Sequence, residues 1–149
     1  MRIPMIDART LARRTVRVPG DFTGVRNVLV IAFERSHLIV YPSWRAALAR
    51  TLSEQHKSGC YALLLAGEKS GWRRRMIELG VRMETPDWHA IEHTAIAYVD
   101  PTRWCGEAGF ALPDLPLVVV TDATGNVHAT AEGDPGPIAS SRLAAAFRV

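Results

Sequence analysis

The chain reads as an α/β protein with a mixed central sheet flanked by helices, and three observations predict it. Val28–Phe33 and Cys60–Ala66 are unbroken apolar runs of strand length, without the polar alternation of a half-exposed strand. Segments with apolar residues at helical spacing follow each run, the pattern of strands joined by crossover helices. Near the C-terminus a third run, Leu117–Val120, leads into Asp122-Ala123-Thr124-Gly125-Asn126, a dense turn signal, and then into Val127–Ala131, where apolar residues alternate with small or polar ones. That is a hairpin, and a hairpin added to parallel strands makes the sheet mixed.

At 149 residues the chain is expected to be one domain spanning 1–149, with residues 1–27 as a leader and hairpin. Thr15-Val16-Arg17-Val18 alternates and suits an edge strand, and Pro19-Gly20-Asp21 is a turn. Val28–Phe33 is the central strand, with Glu34-Arg35-Ser36-His37 as the loop at its carboxyl end, where open α/β sheets place ligands. A helix is predicted from Tyr41 or Pro42 to Gln55, with Trp44, Ala47, Leu48 and Leu52 on its inner face. After the Cys60–Ala66 strand, Ser70 is placed to cap a helix ending near Leu79. Trp72, Met76 and Leu79 are its expected inner face and Gly80 its stop. Met83–Glu92 reads as irregular because of Pro86, and His93–Val99 as a third strand. Asp100-Pro101-Thr102 opens a short helix through Ala108, and Ile138–Phe147 closes the chain as an amphipathic helix.

Net charge is +3 and the chain is mildly basic; of its eighteen basic residues only Lys57 and Lys69 are lysines. No apolar run reaches the ~18–20 residues of a membrane helix. The N-terminal MRIPMIDARTLARR lacks the apolar core of a signal peptide, so a cytoplasmic location is expected. Two cysteines are too few for a disulfide framework or a zinc site.

In order and spacing, Phe33, Asp100, Pro116, Asp122, Gly125 and Gly133, together with the leader TVRVPGDFTG, resemble the thioredoxin-like superfamily in its peroxiredoxin and thiol-disulfide-reductase branch. The resemblance spans about residues 15–147 and implies a three-layer sandwich. It also implies a cis bond before Pro116 and, beside it, a backbone able to pair with an extended peptide. The departure lies after the central strand. Redox members carry Cys-x-x-Cys or one peroxidatic cysteine there, whereas residues 33–41 read FERSHLIVY and contain no cysteine. Without a thiolate that loop has no nucleophile. The AFERSH…VYPSW stretch is similar to cysteine-less bacterial members, and more distantly to a mitochondrial factor that helps assemble ATP synthase. The function expected is therefore redox-inactive binding or assembly through His37, Tyr41, Leu115 and Pro116. The partner would be a protein, a peptide or a second copy of the chain, with no cofactor, nucleic acid or membrane.

The competing expectation is an enzyme. Cys105, near the start of a short helix and beside Arg103, is the one relocated thiol that could serve a peroxidase or disulfide reductase; Glu107 works against its activation. Cys60 reads as a buried hydrophobe. His37 beside Glu34 and Ser36 could carry acid–base chemistry, or be a solvated loop or cap residue. His89-Ala90-Ile91-Glu92-His93 spells the inverted zinc-protease motif, but the imidazoles should diverge if His93 opens a strand. Arg73, Arg74 and Arg75 spread over ~200° of helix circumference, too wide for one nucleic-acid stripe, and read as a solvated surface. Gly67-Glu68-Lys69-Ser70-Gly71 lacks the spacing of a phosphate loop.

Overall fold

A computed structural model describes residues 1–55 and 58–148. Its middle layer is a seven-stranded mixed sheet of β1 (Ile6–Thr10), β2 (Thr15–Val18), β3 (Arg26–Ala32), β4 (Cys60–Leu65), β5 (Thr94–Ala97), β6 (Leu117–Asp122) and β7 (Val127–Glu132), in the order β2-β1-β5-β4-β3-β6-β7. The helices are α1 (Val40–Ala47), α2 (Ala49–Glu54), α3 (Gly71–Glu84), α4 (Trp88–His93), α5 (Pro101–Ala108) and α6 (Pro137–Ala145), and a 3-10 turn, Arg35–Ile39, leads into α1. β3, β4 and β5 are parallel; β6 and β7, and the β1–β2 hairpin, add antiparallel strands at the two sides.

The unbroken apolar runs bury both faces, as expected. Leu29, Ile31, Leu63 and Val119 point to one side, against Trp104, Cys105 and Ala108 of α5 and against Ile3 and Phe22. Val28, Val30, Ala62 and Val118 point to the other, against Trp44 of α1 and Leu143 and Phe147. Ala32, Leu64 and Ile96 extend that second face toward Val81 of α3. The result is the expected three-layer sandwich. Each fully buried Val, Leu or Ile adds ~1.5–3 kcal/mol of transfer free energy, so β3 and its neighbours dominate the stability.

The β6–β7 turn anchors the start of the chain. Ile3 N–H donates to Gly125 O at 2.9 Å, and Val127 N–H to Met1 O at 3.0 Å. Gly125 sits at φ +93, and a Cβ there would stand 2.6 Å from Ile3 O, so both the turn and the close approach require glycine. Asp122 holds the turn through its carboxylate. Burial alone would raise its pKa, but hydrogen bonds from Thr124, His128 and Asn126 outweigh that and hold it well below the usual carboxylate range.

Several local expectations are corrected. The leader holds a further strand, β1, which pairs with β5. The helix expected from 41 or 42 to 55 is broken at Leu48 (φ −104, ψ 4) into α1 and α2. Trp44 and Leu48 are buried as expected, but Ala47 is exposed. α3 does not stop at Gly80; it runs on to Glu84, and the Arg35 guanidinium lies 2.8 Å from where a Gly80 Cβ would be, a contact the flexible Arg35 side chain can yield. Trp72, Met76 and Leu79 face outward, with Trp72 68% exposed, while Ile77 and Val81 pack inward. At 100° per residue these two sets lie on nearly opposite sides of the helix, and both satisfy helical spacing. The segment expected to be irregular contains α4, nucleated past Pro86 by Asp87, whose side chain accepts from Ala90 N–H at 2.7 Å. Ser70 takes the cap position of α3 without a side-chain hydrogen bond.

The Leu115–Pro116 bond is trans; the cis peptide lies at Val18–Pro19 in the leader. An X–Pro bond favours trans by ~0.5–1 kcal/mol unless its surroundings oppose it. Here the trans segment lets Pro116 O accept from Gly133 N–H at 2.9 Å, the first rung beside the β6–β7 ladder.

Candidate functional site

The carboxyl ends of β3, β4 and β5 are where an open α/β sheet offers a site. His37 occupies that position and is 9% exposed. Its Nδ1 accepts from Phe33 N–H at 3.1 Å, which leaves the ring proton on Nε2. Nε2 stands 3.1 Å from Asp114 O and 3.2 Å from Glu34 Oε1. Both ring nitrogens are thus engaged within the protein. The ring ties the turn after β3 to the loop before Pro116.

The neighbouring groups are similarly engaged. Trp44 Nε1 donates to Gly133 O at 2.7 Å from a fully buried position. Tyr41 is buried and its hydroxyl donates to Cys60 O at 3.0 Å; burial first, then the Cys60 thiol, pushes its phenol far above the usual value. Arg35 forms a fork on Glu84, at 3.1 and 2.8 Å. Pro116 is buried. Of the four residues expected to form the binding surface, only Leu115 is open to solvent, at 53%; Tyr41 and Pro116 serve the core and His37 the latch. Ile39, just after His37, and Leu112 are also exposed. Leu115 enters no backbone hydrogen bond among the described residues.

Neither thiol lies at this end of the molecule in reactive form. Cys105 is 1% exposed and faces α5's side of the sheet; Cys60 is 3% exposed and faces the other. Both are free. Burial raises the Cys105 pKa and pushes Cys60 up to about 12. The activation expected from Arg103 is absent because Arg103 Nε turns to Glu107 Oε1 at 3.3 Å.

The His89–His93 motif behaves differently from its expectation. His93 ends α4 instead of opening β5, and the imidazoles stack face to face, centroids 4.0 Å apart. His93 Nδ1 donates to His89 O at 2.7 Å, and His93 stacks on Tyr61, which stacks on Phe22. This is a packed ring column; among the described residues no three metal-ligating side chains converge. No helix there is long and apolar enough to cross a membrane.

A feature the sequence reading missed lies between α3 and the β1–β2 hairpin. A cleft of about 670 Å³ opens there, lined by Arg9 and Arg13 from the hairpin, Arg74, Arg75, Glu78 and Arg82 from α3, and Tyr98 after β5. The sheet extends two strands past β5 while α3 covers only its near edge, which leaves the hairpin's polar face uncovered. The available signal was the recurrence of Arg74, Glu78 and Arg82 at four-residue steps on one helix face.

No protein-family model matches the chain, and no curated protein matches it. Solved structures do. A pneumococcal exposed lipoprotein thioredoxin from Streptococcus pneumoniae is similar at 12% identity and TM-score 0.62, over 95% of this chain and 98% of that one. A thioredoxin-family thiol:disulfide interchange protein from Chlorobium tepidum is similar at 13% identity and TM-score 0.62, over 99% and 96%. The peroxidoxin BcpB from Mycobacterium tuberculosis is similar at 11% identity and TM-score 0.56, over 99% and 94%. The likeness covers nearly the whole of each chain, and the protein has the thioredoxin-like fold.

Proposed function

We propose that the protein is a redox-inactive binding module built on the thioredoxin-like fold. It engages an extended segment of a protein partner at exposed Leu115 and Ile39, beside the His37 latch. The observation that carries the reading is the sealing of both thiols: each is nearly inaccessible, each has a raised pKa, and they face opposite sides of the sheet. The loop that holds the cysteines in redox relatives is here a 3-10 turn whose histidine is spent on structure. A backbone N–H and C=O at Leu115 with no backbone partner suit pairing with an extended peptide, which needs no thiol. The expected cytoplasmic location is not required, since burial shields both thiols in any compartment.

Two measurements test this. Alkylation followed by mass spectrometry, with and without mild peroxide, should label Cys60 and Cys105 at least a hundredfold more slowly in the folded protein than in denaturant. A Cys105 that labels readily near neutral pH and is protected by peroxide would establish the thiol enzyme instead. Peptides selected from a displayed random library should then bind the parent at least tenfold more tightly than Leu115→Asp; equal binding would move the contact surface elsewhere.

A further inference from the structure

We infer that the cleft between α3 and the β1–β2 hairpin is a binding site for a small organic anion carrying phosphate or carboxylate groups on a compact apolar body. Five guanidinium groups face two carboxylates, Asp7 and Glu78, along its lining. That excess of three positive charges equals the net charge of the entire chain. Like charges gathered around one cleft repel one another, and low-dielectric walls focus their field on whatever enters. An anion relieves the repulsion.

The arginines are unequally engaged. Arg82 donates to Leu11 O at 3.4 Å and lies over Trp88. Arg74 donates to Lys69 O at 2.9 Å and covers the Tyr98 ring at 4.5 Å. Arg9 Nε stands 3.3 Å from Glu78 Oε1 but is not aligned to bond it, so that buried N–H has no partner. Arg13 and Arg75 are exposed, and their side chains have no hydrogen-bond or ion-pair partner among the described residues. They face the cleft from opposite walls, one on the hairpin turn and one on α3. Arg13 also sits at φ +67, a left-handed position where a non-glycine side chain is strained.

The rest of the lining sets the ligand's other half. Leu79, 51% exposed, and the partly exposed Tyr98 ring supply apolar surface, with Leu11 and Ile96 buried beneath them. Guanidinium forks match phosphate and carboxylate oxygens in pairs. The volume falls within the ~300–1,000 Å³ typical of small-molecule sites. Glu78, held by the Tyr98 hydroxyl at 2.8 Å, is the lining carboxylate that competes with such a ligand for Arg9.

The test uses the full chain and 1-naphthyl phosphate, a dianion on a flat apolar body, followed by calorimetry and by amide shift mapping. Saturable one-to-one binding is expected, with shifts confined to the β1–β2 turn, α3 and Tyr98, and weaker at higher salt. The double substitution Arg13→Glu, Arg75→Glu should weaken binding at least tenfold without lowering the thermal midpoint. Glu78→Gln should tighten it severalfold, an effect of opposite sign that general damage to the fold would not produce. No saturable binding, shifts scattered over other basic surfaces, or equal affinity in all three proteins would overturn the inference. The peptide surface at Leu115 is a separate site, and neither result bears on it.

Discussion

The end of the sheet beyond β3 and the cleft beside α3 are both rich in polar side chains, and they handle them in opposite ways. Beyond β3, both His37 nitrogens, Trp44 Nε1, the Tyr41 hydroxyl and the Arg35 fork each have a partner within the protein. Beside α3, Arg13 and Arg75 have none among the described residues, and Arg9 Nε is buried without a hydrogen bond, its ion-pair contact being Glu78 Oε1 at 3.3 Å. Buried atoms without a hydrogen bond also occur at Arg45 Nη1 and Trp104 Nε1, so the contrast rests on the exposed Arg13 and Arg75 guanidiniums, which are free to take a ligand. Beyond β3 these polar groups are spent within the protein, whereas beside α3 two guanidiniums keep their donors free among the described residues.

If the first end is a structural latch, cutting it must destabilise the protein. The largest effect is expected at Trp44, fully buried with its indole bonded to Gly133 O. Trp44→Ala should cost ~3–5 kcal/mol in chemical denaturation, from lost burial, the cavity left behind and an orphaned carbonyl. A loss below ~1 kcal/mol would mean that the region is loose and the contrast with the cleft false.

His37→Ala comes next. It strands Phe33 N–H and Asp114 O, for an expected loss of ~1–3 kcal/mol. The same substitution separates latch from catalyst: peptide binding at Leu115 should weaken because the loop is released, while thiol labelling stays slow. Unchanged stability together with loss of a catalysed reaction would assign His37 to acid–base work.

The contrast also explains what was legible in the sequence. β3, β4 and β6 could be read from their unbroken apolar runs because full burial on two faces leaves no other composition. α5 could be read to the residue: Asp100 caps it, Pro101 opens it, and Gly109 closes it at φ +87. α3 was misread because Trp72, Met76 and Leu79 form a periodic stripe that stays in solvent, while Ile77 and Val81, on the opposite side, reach the core. The latch was half legible. FERSH placed His37 at the right end of β3, but its partner Asp114 lies 77 residues on and nothing local announces the contact. Of the cleft only the α3 wall, with Arg74, Glu78 and Arg82 at four-residue steps, was legible, since Arg9 and Arg13 meet it only once β1 has paired with β5.

The smallest stability effect is expected from Glu78→Gln, which probes the cleft from its acidic side. Glu78 pairs with a partly exposed Arg9, a contact worth no more than ~1 kcal/mol. Its charge also acts on Tyr98, whose phenol is raised first by burial and then by the hydrogen bond and charge of Glu78. Glutamine keeps an acceptor oxygen and removes the charge, so Tyr98 should ionise at lower pH than in the parent, while burial still holds it above an ordinary tyrosine. The linkage has a definite sign. A phenol raised on folding contributes stability that is complete below the unfolded value of ~10 and is lost as pH rises beyond it. Glu78→Gln should shrink that alkaline loss. A difference titration near 295 nm between the two proteins reads the phenol directly. Identical curves would mean that Glu78 does not govern Tyr98, and would remove the acidic wall that sets this cleft apart from an ordinary basic surface.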